Sequence, residues 1–489
     1  MAAVRLTLGT VLIFGGASAM GAETLSDAIS QGHFSGKVRA LYASSDFSDN
    51  AAFDDRYALG MGVRLSYETA PWYSLQGKLS LYGASGLGAN SDNPNKVDSV
   101  YFLNTQSGGM TTGSVYGTSA QGYAVLGEAY VKGAFGKTML QAGRMEIDAP
   151  FASSHDIYLV PNTFEAAQIV NVAVPDTTFV LAHTRKMSGP DMVQSNSFAG
   201  STPGIQASDF VSISRASGFQ GLADGDGKLT TEKDTVGATV AGGIYTGIEG
   251  LSAQAWFVRV WDIMDMPHLQ LDYRAKIGES EYFGGIQWAM QSAIGGTKKT
   301  LAHPEAGGAL VALGIDNIDA YHYEGKAGTT YAGMTLTLAY ADTRAVEGNA
   351  ARGGFVSPVG GNPSWVRARY QSPHFGYTDT SCYTGGTRSY MIKSEYDFTG
   401  IGVTGLTGEI AYLSFNRDNK YSANPGLLYY KANAYEDTQA YEASLDYRSL
   451  FGIRSLNGGV TLLRVDNDDA PGKASTDHTD IRVAADYSF

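Results

Sequence analysis

Residues that could act as nucleophiles, acids or bases are concentrated in one short stretch of the chain, between positions 147 and 163. Ser153 and Ser154 are potential nucleophiles, and His155 is a potential base beside them. Residues adjacent in sequence seldom share catalytic geometry, and the chain has no Gly-x-Ser-x-Gly, His-Glu-x-x-His or P-loop motif. The sequence therefore predicts that the protein is not an enzyme. A surface-acting enzyme stays as a hypothesis that substitution of these three residues would test.

A second chemical motif is the acidic run from Asp224 to Gly227, which is similar to the centre of an EF-hand calcium loop. A full loop needs carboxylates at its first and twelfth positions, but Leu222 and Lys233 stand there. The alternative is a solvated acidic loop. The sequence predicts no cofactor and leaves Asp224 and Asp226 as a weak candidate Ca²⁺ site.

Cysteine content and charge exclude further classes of function. The single cysteine, Cys382, excludes an internal disulfide and any cysteine-based metal site. The net charge of −13 argues against nucleic acid as a partner, because phosphate binding needs a basic face. Acidic residues in predicted loops favour solubility and mutual repulsion over cation collection.

The first residues have the pattern of a secretory signal peptide. One positive charge precedes the apolar run Leu6–Phe14, and small residues follow up to Ala22. Cleavage after Ala19 or after Ala22 fits the pattern, so residues 1–22 are assigned to a signal peptide, with a buried N-terminal helix as the alternative. No later apolar run reaches the roughly 18 residues of a transmembrane helix.

Composition favours strands over helices. The chain has 61 Gly and 30 Tyr among 489 residues, and only 17% of its residues are charged. Abundant Gly and Tyr with modest hydrophobicity are typical of many strands joined by turns.

The last residues have two distinct faces. The apolar positions are Ile481, Val483, Ala485, Tyr487 and Phe489, and they alternate with Arg482, Ala484, Asp486 and Ser488. Successive side chains of a strand point to opposite faces, so this pattern predicts a strand with one apolar face. A terminal strand ending in Phe resembles the signal recognised by the outer-membrane barrel assembly machinery, with Tyr487 and Phe489 as its aromatic residues.

The same alternation recurs along the chain. It predicts strands near 34–44, 55–69, 73–83, 122–133, 136–146, 164–172, 176–187, 236–246, 250–263, 268–277, 281–292, 317–326, 329–341, 387–397, 402–415, 437–448, 455–465 and 479–489. Periodicity alone fits either a soluble sandwich with the apolar face inward or a membrane barrel with that face outward.

The lengths of the connections favour the barrel. Tight turns at 70–72, 134–135 and 278–280 alternate with long stretches at 84–121, 188–235, 342–386 and 416–436, and the short connection 264–267 is the one exception. Short periplasmic turns and long external loops are typical of outer-membrane barrels. The sequence predicts an all-β protein, a single closed antiparallel transmembrane β-barrel of about 18 strands in the outer membrane of a Gram-negative bacterium.

A short periplasmic segment, residues 23–33, precedes the barrel domain, residues 34–489. Leu25, Ala28 and Ile29 have helical spacing, and Gly32 could end a short helix. This helix is either a plug at the barrel foot or a leader without function.

Transport through a barrel requires a constriction with chosen charges. The external connection near 147–163 carries bulky apolar residues that water would not favour, so we expect it to fold into the barrel and narrow the pore. The alternative is a lid on the rim. The predicted pore constriction consists of Asp148, Ser153, Ser154, His155, Asp156 and Tyr158.

Within this connection, the run from Asp156 to Ala166 resembles the third-loop signature of OprD-family outer-membrane porins, a Leu-Leu-Pro-x-Thr-Phe-like run. The stretches Leu25–Ala28 and Gly36–Tyr42 are similar to the mature start of that family. The resemblance implies an eighteen-strand, monomeric or loosely trimeric pore for small solutes, often carboxylates, amino acids or peptides. Tyr158 stands where the family commonly has Arg, which removes one partner for a substrate carboxylate.

Alternation also predicts which charges face the lumen. They are Lys37, Arg39, Arg64, Glu68, Lys78, Glu128, Lys132, Asp272, Arg274, Lys276, Lys393, Glu395, Glu442, Asp446 and Arg482. Mixed signs would orient dipolar solutes without strong ion selectivity. The alternative role is cross-strand pairing in the barrel wall.

These patterns favour an outer-membrane porin that gives passive or weakly selective diffusion of ions and small hydrophilic solutes. The alternative is a non-conducting surface protein, an adhesin or receptor, that uses the large loops at 188–235 and 342–386. The expected partners are membrane lipids and lipopolysaccharide, the barrel assembly machinery, small solutes and, in a homotrimer, two further copies of the chain.

Overall fold

The structure is a computed structural model. It describes residues 21–47, 55–86, 104–105, 120–189, 209–213, 235–297, 319–345, 359–361, 363–369, 382–383, 385–417, 435–469, 475 and 477–489. Within these ranges, no helix has both the length and the hydrophobicity to cross a membrane. Most of the signal peptide assigned to 1–22 and most of the long loops lie outside them, so those assignments stay predictions.

Eighteen long antiparallel strands run through the described residues and close into a barrel. They are β1 (His33–Asp46), β2 (Arg56–Glu68), β3 (Leu75–Ser85), β4 (Tyr123–Phe135), β5 (Thr138–Met145), β6 (Thr163–Asn171), β7 (Thr177–Ser188), β8 (Ala238–Tyr245), β9 (Leu251–Val260), β10 (Met264–Ile277), β11 (Ser280–Ala293), β12 (Ala320–Tyr331), β13 (Met334–Ala345), β14 (Thr387–Asp397), β15 (Leu406–Arg417), β16 (Tyr435–Arg448), β17 (Leu456–Asp469) and β18 (His478–Ser488). Each pairs with its neighbours in sequence, and β1 pairs with β18 to close the ring. The predicted fold class is confirmed.

The predicted strands match the observed ones with bounds shifted by a few residues. The turn between β12 and β13 was expected near 327–328, but Ala332 and Gly333 form it, with φ of 49° and 83°. The connection predicted at 264–267 is wrong, because these residues pair within β10 and the link from β9 is 261–263. Likewise, 134–135 belongs to β4 rather than to a turn.

The two faces of the strands have the polarity of a membrane barrel. Leu269, Leu271 and Tyr273 of β10 are exposed on the outer surface, by 51%, 44% and 53%. Asp272, which alternates with them, pairs inside with Lys326 at 2.7 Å. The apolar face therefore points outward and the charged face points into the lumen, the reverse of a soluble sandwich.

A short helix, α1 (Leu25–Ser30), precedes the barrel. Thr24 caps it by accepting from the backbone N–H of Asp27, and Asp27 returns a bond to the Thr24 backbone N–H. The carbonyl of Ala28 accepts from the N–H of Ala70 at 2.9 Å, which ties the helix to the turn between β2 and β3.

Two inward connections fill one side of the barrel. Residues 146–162, between β5 and β6, join a large buried apolar cluster with 359–361, 363–369 and 382–383, which lie between β13 and β14. Ser153 N–H donates to the carbonyl of Val359 at 3.1 Å and so links the two connections. The stretch 342–386 was expected to be an external loop, but residues 342–345 belong to β13. The described segments 359–361, 363–369 and 382–383 pack inside the barrel, because Val359, Val366 and Cys382 bury apolar surface there.

The lumen wall yields a stability prediction. Glu128 is buried, and its carboxylate accepts from Lys78 at 2.8 Å and from Ser80 at 2.7 Å. Removing Lys78 leaves a buried charge uncompensated, so we expect Lys78→Met to lower the free energy of unfolding by about 3–5 kcal/mol. Urea unfolding of the barrel in detergent, followed by tryptophan fluorescence, measures this difference.

The matched control is Arg274→Met, because Arg274 forms an exposed pair with Glu281 at 3.2 Å and its loss should cost under about 1 kcal/mol. Equal costs for the two variants would contradict the prediction. The double variant Lys78→Met with Glu128→Gln should recover part of the loss, since it removes both charges together.

Candidate functional site

The connection 146–162 is held in shape by its own polar residues. The Ser153 hydroxyl donates to Asp148 Oδ1 at 2.9 Å and accepts from the backbone N–H of His155 at 3.2 Å. The Ser154 hydroxyl accepts from the backbone N–H of Ile147 at 3.0 Å. Phe151 and His155 adopt left-handed φ values of 56° and 49°, which turn the chain back on itself. Asp148, Ser153 and Ser154 therefore shape the connection.

Apolar side chains anchor this connection to the wall. Phe151, Tyr158 and Leu159 are nearly fully buried. A Cβ on Gly62 of β2 would overlap the backbone of Leu159, so only glycine lets the two backbones approach this closely. Tyr158 was predicted to face the pore, but the residue is only 1% exposed and its ring lies edge-on to that of His155.

The tip of the connection, residues 156–158, places one acid, Asp156, among three bases of the barrel wall. The Asp156 carboxylate lies 3.2 Å from Lys37 Nζ, 3.0 Å from Arg39 Nη1 and 3.7 Å from Arg64 Nη1. Lys37 and Arg39 alternate on β1, and Arg64 is the register partner of Lys37 on β2. The pairing of β1 with β2 therefore places the three cations side by side on the wall.

Arg39 links the tip to the opposite neighbour, β18. Its guanidinium forms a bidentate pair with Asp486, at 2.7 and 3.0 Å, and also donates to the carbonyls of Asp156 and Tyr158. Arg482 lies on the same face of β18 as Asp486, and its guanidinium donates to the carbonyl of Ile157. Guanidinium donors thus bind the backbone of the tip, which is a role that side-chain patterns in the sequence do not reveal.

Sequence reasoning missed Glu146, which follows β5 directly. Its carboxylate pairs with Arg64 and accepts from the Tyr82 hydroxyl at 2.6 Å. The Arg64 guanidinium also lies 4.9 Å from the centre of the Tyr82 ring. Glu146 follows Met145, the last residue of β5, and a period of two from the lipid-facing Leu140 would have placed it on the outer face, so alternation gave no signal for its position in the lumen.

An opening of about 140 Å³ lies between the tip and strands β1, β16, β17 and β18. Its charged lining consists of Arg39, Asp156, Asp446, Arg482 and Asp486. Asn457 and Thr461 of β17 add neutral polar groups. Of the predicted constriction residues, Asp156 lines this opening, and the ring of His155 lies edge-on to Tyr158 with centroids 6.4 Å apart.

The other predicted lumen charges lie along the wall, away from the opening. Their pairs are Glu68 with Lys132 at 2.6 Å, Lys78 with Glu128 at 2.8 Å, Asp272 with Lys326 at 2.7 Å, Arg274 with Glu281 at 3.2 Å, and Lys393 with Glu395 and Glu409 at 3.3 and 3.4 Å. Lys276 is exposed near the end of β10. Cross-strand pairing of this kind supports the wall as well as the lumen field.

Arg369 of the second inward connection was also missed. Its backbone N–H donates to Glu442 at 2.7 Å, and its guanidinium donates to Ser444 at 2.8 Å and pairs with Asp446. Three alternating positions of β16 therefore hold this connection against the wall. The candidate Ca²⁺ ligands Asp224 and Asp226 lie outside the described residues, and that site stays a prediction.

Comparison with known proteins places the chain in a family. The family model described as outer membrane porin, OprD family, matches residues 27–448. No curated protein matches the chain.

Solved structures with a similar fold include three outer-membrane proteins. OccK8 (OprE) of Pseudomonas aeruginosa has a TM-score of 0.65 at 16% identity, covering 94% of this chain and 98% of its own. OpdK of Pseudomonas aeruginosa, solved with vanillate, has a TM-score of 0.64 at 15% identity, covering 94% and 99%. OccAB3 of Acinetobacter baumannii has a TM-score of 0.66 at 14% identity, covering 94% and 100%.

At these identities the likeness supports the fold, and the family match carries the function. It favours the channel over the adhesin or receptor hypothesis. The closed barrel, the inward connection and the charged opening agree with it. This chain belongs to the OprD family of outer-membrane porins, and it is a Gram-negative outer-membrane channel for the diffusion of small solutes.

Proposed function

We propose that this channel favours small zwitterionic solutes, such as amino acids and short peptides, over ions of a single sign. The observation that supports the proposal is the lining of the opening, where two arginines and three aspartates share about 140 Å³. A zwitterion can place its carboxylate against a guanidinium and its ammonium against an aspartate in the same opening.

The charges nearest the tip support weak ion selectivity. Lys37, Arg39 and Arg64 face Asp156, Asp486 and Glu146 at distances of ion pairs. Opposite charges held this closely cancel at a distance, so a permeating ion meets little net field, whereas a dipole meets a strong local one.

A second candidate substrate class is small carboxylates. The wall brings Lys37, Arg39, Arg64 and Arg482 around the tip, so guanidinium groups are present although Tyr158 replaces the arginine expected in the loop signature. OpdK, whose fold is similar, was solved with vanillate, which is a carboxylate. The solute comparison below separates this candidate from the first.

Proteoliposome swelling with three solutes of matched size tests the substrate class: alanine, the neutral lactamide and the anion lactate. We expect alanine to enter faster than lactamide. Arg482→Gln should lower alanine entry about threefold or more, because a charge-assisted hydrogen bond is worth about 1.5–3 kcal/mol, and it should leave lactamide entry unchanged.

The matched control is Arg274→Gln, whose arginine also faces the lumen but lies far from the opening beside Glu281. It should leave entry of all three solutes unchanged. Equal rates for alanine and lactamide in the wild type would refute the zwitterion proposal, and faster entry of lactate would favour the carboxylate candidate. Faster entry of every solute in Arg482→Gln would show that the arginine only holds the tip in place.

The position of Asp156 generates a prediction for ion selectivity. Its carboxylate is the negative charge of the tip that faces the bases Lys37, Arg39 and Arg64. Asp156→Asn removes one negative charge there, so we expect the reversal potential across a potassium chloride gradient to shift toward anions. The control Glu281→Gln removes a lumen acid far from the opening and should shift it less. No shift in Asp156→Asn would place the constriction elsewhere.

We further propose that the last strand is read by the barrel assembly machinery through Tyr487 and Phe489. Phe489 exchanges two backbone hydrogen bonds with Gly36, at 2.9 and 3.0 Å, and its ring occupies the space where a Cβ of Gly36 would lie. The aromatic end thus completes the seam between β1 and β18. Contacts with lipopolysaccharide and with further copies in a homotrimer stay predictions from the sequence.

Phe489→Ala tests the assembly proposal, with Ile286→Ala as the control for loss of one lipid-facing side chain. We expect several-fold less folded barrel in the outer membrane for Phe489→Ala, scored by heat-modifiable electrophoretic mobility, and little change for the control. Equal yields of the two variants would remove Phe489 from the assembly signal.

A further inference from the structure

A buried cluster of metal-binding side chains lies away from the opening, where the second inward connection meets the wall. His322 and Glu324 alternate on the lumen face of β12, and Cys382 approaches them from the connection between β13 and β14. All three residues are buried, and their nearest donor atoms lie within 4.8 Å of one another. Neither the channel function nor the sequence motifs account for this cluster.

The spacing of the donors suits a tetrahedral ion. His322 Nε2 lies 3.7 Å from Glu324 Oε1, and Cys382 Sγ lies 3.9 Å from the same oxygen. Ligand atoms around tetrahedral zinc are separated by roughly 3.5 Å, as its bonds of about 2.0–2.3 Å require. No two of the three donors are further apart than 4.8 Å, so shifts of up to about 1 Å would bring them to an ion between them.

The hydrogen bonds of His322 orient the imidazole toward this point. The Thr343 hydroxyl donates its proton to the carbonyl of Cys382 at 2.5 Å. It must therefore accept from His322 Nδ1, which lies 2.7 Å away. The proton on Nδ1 leaves Nε2 as the basic nitrogen, and Nε2 is the atom that faces Glu324. A ligating histidine with its other nitrogen bonded in this way is typical of metal sites.

Glu324 is buried, and the hydrogen bonds that it accepts favour its charged carboxylate form. Its carboxylate accepts from the backbone N–H groups of Trp365 at 2.9 Å and Val366 at 3.2 Å, and from the side chains of Gln287 and Ser364. Among the described residues, no Lys or Arg forms an ion pair with it. A carboxylate buried in this way needs a nearby cation, because burial of an uncompensated charge is costly.

Ser364 can adapt to a bound ion. Its hydroxyl lies 3.0 Å from Cys382 Sγ and 3.3 Å from the carbonyl of Val366, so it has other acceptors when Glu324 Oε1 is taken by a metal. Such a hydroxyl would also hydrogen-bond the thiolate that coordination creates, which stabilises its negative charge.

We propose that His322 Nε2, Glu324 Oε1 and Cys382 Sγ form a zinc-binding site that ties the second inward connection to the barrel wall. Imidazole, carboxylate and thiolate are the donors that Zn²⁺ accepts, and water can complete the tetrahedron. Burial raises the pKa of the Cys382 thiol, so the metal-free protein holds the neutral thiol. Zinc binding forms the Zn–S bond, breaks the S–H bond and releases one proton to water.

This site is compatible with the single cysteine, because two of its three protein ligands come from β12. The single cysteine led to the expectation of no cysteine-based metal site, and the proposed site departs from that expectation because it combines one thiol with a histidine and a glutamate. A metal here would crosslink residue 382 to β12 and hold the segment 363–369, which packs on Glu324 through Trp365 and Val366.

Cobalt substitution tests the site in the full-length, tag-free barrel, folded in detergent and stripped with a chelator. Co²⁺ should bind one ion per chain, with visible bands typical of tetrahedral cobalt and a thiolate-to-cobalt charge-transfer band in the near ultraviolet. Zn²⁺ should displace it and abolish both signals. Because Cys382 is the only thiol in the chain, the charge-transfer band reports on this residue alone.

Variants then assign the ligands. Cys382→Ser should remove the charge-transfer band and weaken zinc binding by about a hundredfold or more, and Ser364→Ala should weaken it by about tenfold as the loss of a positioning residue. The matched control is His478→Gln, which alters another buried wall histidine, 3.8 Å from Asp480. It should bind zinc like the wild type.

The proposal is overturned if the wild-type barrel shows no charge-transfer band, or if Cys382→Ser binds zinc as tightly as the wild type. Heat-modifiable mobility confirms that each variant is folded. If Cys382→Ser does not fold, the wild-type cobalt spectrum still decides, since it requires the native thiol and no variant. Cobalt bands without a thiolate band would show that cobalt binds without Cys382 and would overturn the three-ligand site, and the absence of all cobalt bands would leave His322 and Glu324 as an ion pair.

Discussion

The hydrocarbon core of a membrane offers no water to an unpaired backbone, and the remaining features of this protein follow from that constraint. Strands can satisfy it only by closing on themselves, and here the pairing of β1 with β18 completes the ring. In a closed barrel each strand side chain faces either the lipid outside or the interior of the barrel. Rows of leucine and tyrosine such as Leu269, Leu271 and Tyr273 meet lipid, so charges that alternate with them, such as Asp272, lie inside.

The crowding of charges inside the ring explains why the wall and the inward connection form one unit. Lys37 and Arg64 are register partners, and two adjacent cations in a confined lumen repel each other. Asp156 and Glu146 of the connection supply the compensating charges. Their ion pairs with Lys37 and Arg64 therefore hold the connection against the wall. Arg39 extends this unit to β18 through Asp486 and fixes the tip through backbone carbonyls. A substitution at the tip therefore changes the balance of the whole group.

How much of this could be predicted depended on the range of the interactions. Alternation with a period of two is local, so the strands, their faces and lumen residues such as Arg39, Arg64 and Arg482 were accessible from the sequence. The bulky residues of 147–163 also indicated an inward fold. Glu146, Arg369 and the buried part of 342–386 were missed, because their partners are distant in sequence, as with Arg369 and Glu442, and no local pattern marks such pairs.

The role of Tyr158 shows why residue type alone misjudges a site of this kind. A missing arginine in the loop signature argued for a loss of guanidinium groups at the pore, yet Arg39 and Arg482 reach the same place from the wall and bind the loop's carbonyls. Tyr158 itself is buried beside His155, so it contributes its backbone carbonyl to this place and not its ring. Every residue has a backbone carbonyl, so the fold and not the residue type decides which carbonyls accept hydrogen bonds from these arginines. The chemistry of this lumen is accordingly set by which backbone and side-chain groups closure of the barrel brings within reach of each other.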